Sequence, residues 1–380
     1  MIYLDNAATS NPKAPTVTTA LLRYLEDGEG NPGRASHRRA REASEVVFET
    51  REKLAALLSV PDAERIVFTK NATEALNLAL CGFLRAGDSV AVSSLEHNAV
   101  MRPLRRLEAF RGVKILVFGC DRDGRPHPEE LEAALSIRPR LCVTTLASNV
   151  TGAILPVAEI AERCARDGIP VGVDASQAIG HQKISAPELG AAFIGFSGHK
   201  GLLAPTGTGA LYAAPGFDPD PLVSGGTGSL SESERMPEFL PDRYEAGTLN
   251  VLGLAGLRAS LSFLEETGID RIRTRESEIC DRLIQGFSDI PGLTTYGPHP
   301  GVERASVVSV TAERMSSADI ALELDRRDIA VRSGLHCAPA AHRAIGTFDR
   351  GGTVRFSPGF FTTDAEIDET VRAMKEILES

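Results

Sequence analysis

A lysine lies just beyond the end of an apolar segment of this chain. Residues 193–196 (FIGF) predict a buried β-strand, and the sequence SGHK at 197–200 comes straight after it. Most lysines in proteins are solvated, so a surface charge on a turn is the simplest interpretation of Lys200. A lysine amine at the end of a buried strand can alternatively form a Schiff base with a carbonyl compound. The residues that follow the other apolar segments bear on that choice.

An acidic residue ends a second apolar segment. Asp174 follows residues 170–173 (PVGV), and Gln177 lies three positions later. A carboxylate at the end of a buried strand needs a cationic or N–H partner, because an unpaired buried charge is costly. A plain ion pair between Asp174 and Lys200 would meet that need. It would not explain why further polar residues occur at the ends of the other strands.

Polar residues also follow three more apolar segments. After residues 65–69, Ala72 and Thr73 begin a predicted helix. The backbone N–H groups at this helix start, together with the Thr73 hydroxyl, would suit a phosphate. An ordinary helix cap explains the same pattern equally well. His97 follows another strand and could stack on a flat ring or simply begin a helix. Asn149 follows a third strand, in a turn that exposes its amide.

The elements that must position these residues alternate along the chain. From about position 64, short Val- and Ile-rich segments are separated by longer segments of helical period. This pattern predicts an α/β fold with a mostly parallel sheet that is covered on both faces. Because ligands of such sheets bind at the carboxyl ends of the strands, the polar residues are expected to converge.

The converging residue types match the needs of one cofactor. Pyridoxal 5'-phosphate requires an amine for a Schiff base, an acid beside its pyridine nitrogen and a cradle for its phosphate. Lys200 would supply the amine and Asp174 the acid, while Gln177 could bond the ring oxygen. The sequence therefore predicts a pyridoxal phosphate site.

Length and composition set the broad class. With 380 residues, 42% of them hydrophobic and 24% charged, the chain suits a two-lobed globular protein. A formal charge of −10 disfavours a nucleic-acid or anionic-membrane surface. No apolar segment approaches the ~20 residues of a membrane span, and the N-terminal sequence lacks the pattern of a signal peptide. We expect a cytoplasmic protein.

The six cysteines fall into two groups. None of them has the close spacing of a zinc knuckle or a redox pair, so no metal site is expected. Five lie in apolar or helical segments and are expected to be small buried side chains. Cys337 instead lies among glycine, proline, arginine and histidine, and is either an inert loop thiol or a nucleophile.

The region after about residue 257 alternates helices with fewer and shorter strands. It predicts a smaller α/β lobe, which the first residues are expected to join. We therefore expect a large cofactor-binding domain over 16–256 and a small domain formed by 1–15 and 257–380. Thr363 and Glu366 are spaced as a capping box for the last helix.

Ordered motifs along nearly the whole chain resemble one family. VDASQAIGH (173–181) and SGHKG (197–201) resemble the class V aminotransferase family of fold-type I pyridoxal phosphate enzymes. The motifs that narrow this resemblance to the cysteine desulfurase and selenocysteine lyase branch are NATEALNLAL, LEHNAV, ASNVTG, YEAGTLN, RSGLHCAP and VRFSPGFFTT. The resemblance implies a large domain with a seven-stranded, mostly parallel sheet and a smaller C-terminal α/β domain. Single motifs are weak signals, but their order is specific.

The resemblance assigns a role to each candidate residue. Lys200 would carry the cofactor and transfer protons, Asp174 would pair with the pyridine nitrogen, and His97 would stack on the ring and take part in catalysis. Residues that would hold the cofactor in other ways are Ala72, Thr73, Asn149, Gln177, Ser197, His199 and, from the second subunit of a homodimer, Thr248. Asn149, Arg332 and Arg355 would bind the substrate carboxylate, to which the arginine fork is suited. The segment 31–37 (NPGRASH) would line the same entrance.

The implied activity is the conversion of L-cysteine to L-alanine, with the sulfur taken up by Cys337 as a persulfide. Sulfur mobilisation of this kind implies an acceptor protein and a link to iron–sulfur cluster assembly. A thiolate is required, and Arg332 and His336 could lower the pKa of the Cys337 thiol. The sequence departs from the best-known members by several extra residues between Cys337 and Arg355.

The same residues are compatible with other activities. A selenocysteine lyase, another class V lyase or a transaminase would use the same cofactor cradle. A nucleotide-binding protein is disfavoured, because no glycine-rich segment ends in Gly-Lys-Ser/Thr and no Gly-x-Gly-x-x-Gly follows a strand. A non-enzymatic sulfur carrier would leave Lys200 and Asp174 without a role.

Overall fold

Helices and short strands alternate along the chain, as the apolar pattern predicts. The computed structural model describes residues 1–33 and 37–379. The strands are β1 (Ile2–Tyr3), β2 (Ile66–Thr69), β3 (Ser89–Ser93), β4 (Lys114–Phe118), β5 (Leu141–Thr145), β6 (Val171–Asp174), β7 (Ala191–Ser197), β8 (Gly209–Ala213), β9 (Leu293–Tyr296), β10 (Val308–Ala312), β11 (Ile329–Ala330), β12 (Arg332–Gly334) and β13 (Thr353–Phe356). The helices are α1 (Pro15–Asp27), α2 (Arg38–Leu57), α3 (Ala72–Phe83), α4 (Asn98–Arg111), α5 (Pro128–Ser136), α6 (Val157–Ala165), α7 (Val251–Thr267), α8 (Ile269–Ser288), α9 (Ser317–Asp325), α10 (Pro339–Ala344) and α11 (Asp364–Glu379). None of the helices in the described ranges combines the length and the apolar composition that a bilayer span requires.

The larger sheet has seven strands in the order β2-β8-β7-β6-β5-β3-β4. Strand β8 runs antiparallel to both of its neighbours, and the other pairings are parallel. The predicted mostly parallel sheet is therefore confirmed. Strands β2, β3, β5, β6 and β7 all run in one direction, which brings their carboxyl ends to the same edge.

Successive residues of the sheet strands pack into two different core clusters. In β2, Phe68 belongs to one cluster and Val67 to the other. The alternation holds in β7, where Ile194 belongs to the first cluster and Phe193 to the second. Side chains alternate between the faces of a sheet, so both faces are buried against helices. This burial fixes the strand register and hence the position of each strand end.

A smaller sheet follows in the order β12-β13-β10-β9, with every pairing antiparallel. Strand β1 pairs in parallel with β11, and Leu4 joins a third core cluster that includes Phe356 and Met374. The start of the chain thus packs with its C-terminal third. Helix α7 runs through position 256, and its Leu264 packs with the larger sheet. The domain division at 256/257 stays a prediction.

The last helix begins with the predicted capping box. The Thr363 backbone N–H donates to Glu366 Oε2 over 2.7 Å, and the Glu366 N–H donates to Thr363 Oγ1 over 3.3 Å. Each side chain satisfies a backbone donor that the helix itself leaves open.

Candidate functional site

The predicted site residues follow the strands that end at one edge of the larger sheet. Thr73 lies beyond β2, His97 beyond β3, Asn149 beyond β5, Asp174 at the end of β6 and Lys200 beyond β7. The parallel arrangement of these strands brings five distant parts of the chain to the same place.

Two glycines allow the Asp174 and Lys200 loops to pack against each other. A Cβ added to Gly180 would lie 2.2 Å from the Gly201 carbonyl oxygen, and one added to Gly201 would lie 2.2 Å from the Ile179 oxygen. Gly180 also has a φ of +83°, which side-chain-bearing residues rarely adopt. The glycines of VDASQAIGH and SGHKG are therefore required by close backbone contact between these loops.

Lys200 is partly buried, and its side-chain amine makes no hydrogen bond or salt bridge with the described residues. Burial lowers the pKa of Lys200 to about 8, with Asp174 opposing the shift and Arg355 and Arg332 adding to it. The charge of Cys337 also acts on this amine. A lysine with a lowered pKa and no partner is a candidate nucleophile or base.

Asp174 is buried at the end of β6. Its Oδ1 accepts hydrogen bonds from the Ser176 N–H (2.9 Å) and the Ser176 hydroxyl (2.5 Å). The described residues contain no salt bridge between Asp174 and Lys200, although the Asp174 charge raises the pKa of Lys200. Asp174 Oδ2 therefore has no protein partner in this part of the chain and is available to a bound group.

The start of α3 presents open donors beside the end of β7. The Ala72 N–H donates to the Ser197 hydroxyl over 2.8 Å, and Asn71 caps the helix by accepting from the Glu74 N–H. The Thr73 N–H and hydroxyl have no partner among the residues described. The helix cap is therefore present, and the phosphate site stays a prediction, because a capped helix start still offers donors to an anion.

His199 is held by its backbone and leaves a ring nitrogen open. Its carbonyl oxygen accepts from the Ser10 N–H (2.9 Å) and from Lys13 Nζ (3.1 Å). Burial and the charges of Lys200 and Lys13 lower the pKa of His199 to about 4, so the ring is neutral. Its buried Nδ1 has no partner in the described residues. Buried polar atoms are normally hydrogen-bonded, so this one fits a ligand contact.

His97 forms the N-cap of α4. The Ala99 N–H donates to His97 Nδ1 over 3.0 Å, which places the ring proton on Nε2. Burial, followed by the charge of Lys200, lowers the pKa of His97 to about 4. A neutral ring suits stacking as well as capping.

Gln177 is held by the start of the chain. Its Nε2 donates to the Ala7 carbonyl (2.9 Å) and retains a second N–H.

The two candidate substrate arginines face each other across a strand pair. Arg332 of β12 and Arg355 of β13 are register partners. Arg355 is 2% exposed and donates to the Asn149 carbonyl (3.2 Å) and to Asp5 Oδ1 (2.9 Å). Its Nε is buried without a partner in the described residues, so one donor stays open to a carboxylate. The Asn149 amide itself donates to the His336 carbonyl over 2.7 Å.

Cys337 is exposed and follows the end of β12 closely. Its carbonyl accepts from the Asn98 N–H at the start of α4 over 2.7 Å. His336 and Cys337 both have positive φ, at +46° and +56°. Non-glycine residues rarely adopt this conformation, and it is a form of strain that clusters at functional sites.

His336 does not supply the positive charge that its position next to Cys337 suggests. It is buried, and its Nε2 lies 2.9 Å from Thr353 Oγ1. Burial, followed by the charge of Arg355, lowers the pKa of His336 to about 2, so the ring is neutral. The expected positive charge of His336 next to Cys337 is therefore absent, because burial of its side chain outweighs sequence proximity.

The extra residues between Cys337 and Arg355 fold into an ordered turn. Helix α10 is followed by a hydrogen bond between His342 Nδ1 and Thr347 Oγ1 of 2.7 Å. The Gly352 N–H then donates to the Thr347 carbonyl, which returns the chain to β13. Arg355 follows this turn as a residue of β13.

Two expectations concern residues at the entrance. Thr248 is exposed and has no partner in the described ranges, whereas Glu245 of the same motif is buried against Arg51 at 2.7 Å. Of the segment 31–37, residues 34–36 lie outside the described residues.

Of the five cysteines expected to be buried, Cys81 is partly exposed. It lies on the outer side of α3, where one helix face meets solvent.

Three charged residues at the site were missed by the sequence analysis. Asp5 binds both Arg332 and Arg355. Lys13 donates to Thr9, Ser10 and His199 oxygens, and burial lowers its pKa to about 8. Glu96 is fully buried beneath the site, and burial raises its pKa to about 8. Of the three, Glu96 lies within the LEHNAV motif quoted above, whereas Asp5 and Lys13 lie outside the quoted motifs.

The chain is similar to known proteins in both sequence and fold. The sequence matches the class V aminotransferase family over residues 2–370. A probable cysteine desulfurase from Methanothermobacter thermautotrophicus is 36% identical over 383 aligned positions, covering 99% of this chain and 94% of the relative. The structure of a cysteine desulfurase from Thermococcus onnurineus superimposes with a TM-score of 0.91 at 32% identity, covering 100% of this chain and 94% of the other.

A second solved structure is also similar. The cysteine desulfurase CsdA from Escherichia coli, in an S-sulfonic acid form, gives a TM-score of 0.88 at 27% identity, with 99% of this chain and 94% of the other covered. The family match, the full-length relative and the shared fold lead to one assignment. The chain belongs to the class V aminotransferase family.

Proposed function

We propose that the protein is a pyridoxal phosphate-dependent cysteine desulfurase, which converts L-cysteine to L-alanine and takes up the sulfur on Cys337. One observation carries the proposal: the exposed Cys337 is hydrogen-bonded through its carbonyl to Asn98, next to His97, at the sheet edge where the unpartnered amine of Lys200 also lies. The full-length relatives bear the same activity in their names.

The cofactor of the family is pyridoxal phosphate, which confirms the prediction made from the sequence. The residues present fit it. The open amine of Lys200, the unpartnered Nδ1 of His199, the donors of Thr73 and the second N–H of Gln177 would bind it, while Asp174 would face its ring nitrogen. When bound, this cofactor draws electrons from the bonds at the α-carbon of an amino acid.

Lys200 is suited to moving the proton of the substrate α-carbon. With a pKa of about 8, a substantial fraction of the amine is neutral near neutral pH and can accept a proton. Arg355 would hold the substrate carboxylate through its open Nε–H, assisted by Asn149. Holding the carboxylate fixes the direction of the α-carbon bonds relative to Lys200.

Cys337 would receive the sulfur. Its thiolate attacks the substrate sulfur, so that a sulfur–sulfur bond forms while the bond between that sulfur and the β-carbon breaks. The electron pair of the broken bond stays with the carbon, which takes up a proton to become the methyl group of alanine. The thiol proton lost by Cys337 balances this uptake, so no external oxidant or reductant is needed.

The test replaces the nucleophile. Cys337→Ser should keep the yellow cofactor and the exchange of the substrate α-proton, but alanine release from cysteine should fall by orders of magnitude. Selenocysteine should suffer less, because selenium leaves more readily. Cys81→Ser is the matched control, since Cys81 is the other cysteine in the described ranges that is not fully buried. Undiminished turnover by Cys337→Ser would favour a plain lyase or a transaminase.

We further propose a cytoplasmic homodimer with shared sites, which passes its persulfide to an acceptor protein such as one serving iron–sulfur cluster assembly. The exposed and unpartnered Thr248 supports shared sites. Mixing inactive Thr248→Glu and Lys200→Ala chains should restore activity, because one hybrid site then has both native residues. A monomer by light scattering with full activity would contradict the dimer.

A further inference from the structure

One carboxylate joins both candidate substrate arginines. Asp5 Oδ1 accepts from Arg355 Nη2 over 2.9 Å, and its Oδ2 accepts from Arg332 Nε and Nη2 over 3.2 and 3.1 Å. The Asp5 side chain is 16% exposed, against 2% for Arg355 and 46% for Arg332. The carboxylate therefore lies between a buried and an accessible guanidinium.

The backbone fixes Asp5 in this place independently of its charge. Residue 5 forms a parallel β-bridge with Ser357, and the Asn6 N–H donates to the Ser357 carbonyl over 3.0 Å. The Asp5 carbonyl accepts from the Ala8 N–H over 3.0 Å. An asparagine at position 5 keeps these bonds, so the charge can be removed without moving the chain.

The net charge of Asp5, Arg332 and Arg355 is balanced by a single anion. Two guanidiniums and one carboxylate carry a net charge of plus one, which one substrate carboxylate neutralises. Arg332 engages Asp5 through two of its nitrogens, whereas Arg355 keeps its buried Nε–H open. A second negative charge on the substrate would meet an arginine that is already paired and a carboxylate that repels it.

We propose that Asp5 is a positioning residue that sets the charge selectivity of the site. By pairing with Arg332, it favours amino acids with one carboxylate and an uncharged side chain over those whose side chain is also negative, such as aspartate or cysteine sulfinate. The identity of cysteine as the favoured substrate rests on the proposed function. The discrimination against a second negative charge does not, because it concerns binding alone.

The test compares two amino acids of equal shape and different charge. L-aspartate and L-asparagine are titrated into the holoenzyme, and their dissociation constants are read from the cofactor absorbance and from the shift in melting temperature. The wild type should bind asparagine more tightly. Asp5→Asn should change the ratio of the two constants by about tenfold or more in favour of aspartate binding. Both guanidiniums then lack a carboxylate partner and can attract the second negative charge. An unchanged ratio would overturn the proposal.

Two further variants guard against a purely structural effect. Arg332→Gln alone should move the ratio the opposite way, toward asparagine, since the repulsion from Asp5 remains while one cation is lost. Asp5→Asn combined with Arg332→Gln should return the ratio close to that of the wild type. Asp328→Asn is the matched control, because Asp328 pairs with the N-terminal amine and not with these arginines. A double variant that keeps the shifted ratio would contradict the role of Arg332.

A separate assay distinguishes this proposal from the proposed function. Alanine release from cysteine and from cysteine sulfinate is measured with wild type and Asp5→Asn. Asp5→Asn should raise the kcat/KM for cysteine sulfinate relative to cysteine, chiefly through KM. A wild type that releases no alanine from cysteine would overturn the function. The binding ratios would still decide the role of Asp5.

Discussion

The two sides of the site are built in different ways. On the sheet side, Asp174, His199 and Lys200 occupy loops at strand ends, and close backbone contacts and hydrogen bonds hold those loops. On the other side, paired strands carry Arg332 and Arg355 and a β-bridge holds residue 5, while ion pairs join the three side chains. Backbone contacts between loops therefore define the first group, and ion pairs between the side chains define the second.

This difference separates the chemistry from the choice of substrate. Backbone contacts between two buried loops tolerate little change, so we expect the sheet side to fix the cofactor and the proton transfer. An ion-pair network can change its net charge through one side chain without moving the backbone. We expect substitutions on the sheet side to abolish turnover of every substrate and substitutions on the arginine side to change selectivity.

The largest expected effect is the loss of all turnover in Lys200→Ala. Borohydride reduction of the wild type, followed by peptide mass spectrometry, should place the cofactor on Lys200. Lys183→Ala is the control, because this exposed lysine pairs with Asp270 and should keep full activity. A label on Lys13, whose pKa burial also lowers to about 8, would contradict the assignment of the sheet side.

A smaller loss is expected for Arg355→Gln on the arginine side. Removing a charge-assisted hydrogen bond to a carboxylate costs about 1.5–3 kcal/mol, which corresponds to roughly 10- to 150-fold in kcat/KM. The loss should fall mainly on KM, and the cofactor absorbance should persist. Steady-state kinetics with cysteine measure both constants. A variant that loses its cofactor instead would show that the two sides are not separable.

The pH dependence of Lys200 links the two sides. The neutral amine reacts with aldehydes, so reductive labelling of the cofactor-free protein by pyridoxal should rise with pH and level off above a midpoint near 8. Arg355→Gln removes a charge that lowers this pKa and should move the midpoint up. Asp174→Asn removes a charge that raises it and should move the midpoint down by more, because the Asp174 charge acts more strongly. Shifts of the same sign would contradict this electrostatic scheme.

The smallest effect is expected far from both sides. Thr363→Ala removes the capping box of α11 and should lower the free energy of unfolding by about 1 kcal/mol, measured by urea denaturation. Kinetic constants should not change. Thr363→Ser keeps the hydroxyl and should retain the stability of the wild type. A change in kcat would mean that the C-terminal helix acts on the site.

The sequence predicted the sheet side better than the arginine side. Lys200 and Asp174 could be found because each follows an apolar segment and parallel strand ends converge. The antiparallel direction of β8 could not, because a five-residue apolar segment carries no sign of its direction. Asp5 was missed because its partners lie more than 300 positions away. The neutral state of His336 was missed because it depends on burial, which neighbouring residues do not reveal.

The packing of the chain start against its C-terminal third has a consequence for the order of assembly. Asp5 is made first, but Arg355 follows it by 350 positions, so their ion pair has to wait for almost the whole chain. The segments that supply Lys200, Asp174 and Thr73 are all made much earlier. During synthesis, the cofactor cradle can therefore fold before the arginine side exists. We therefore expect a nascent chain to be able to form its cofactor cradle before it can select a substrate.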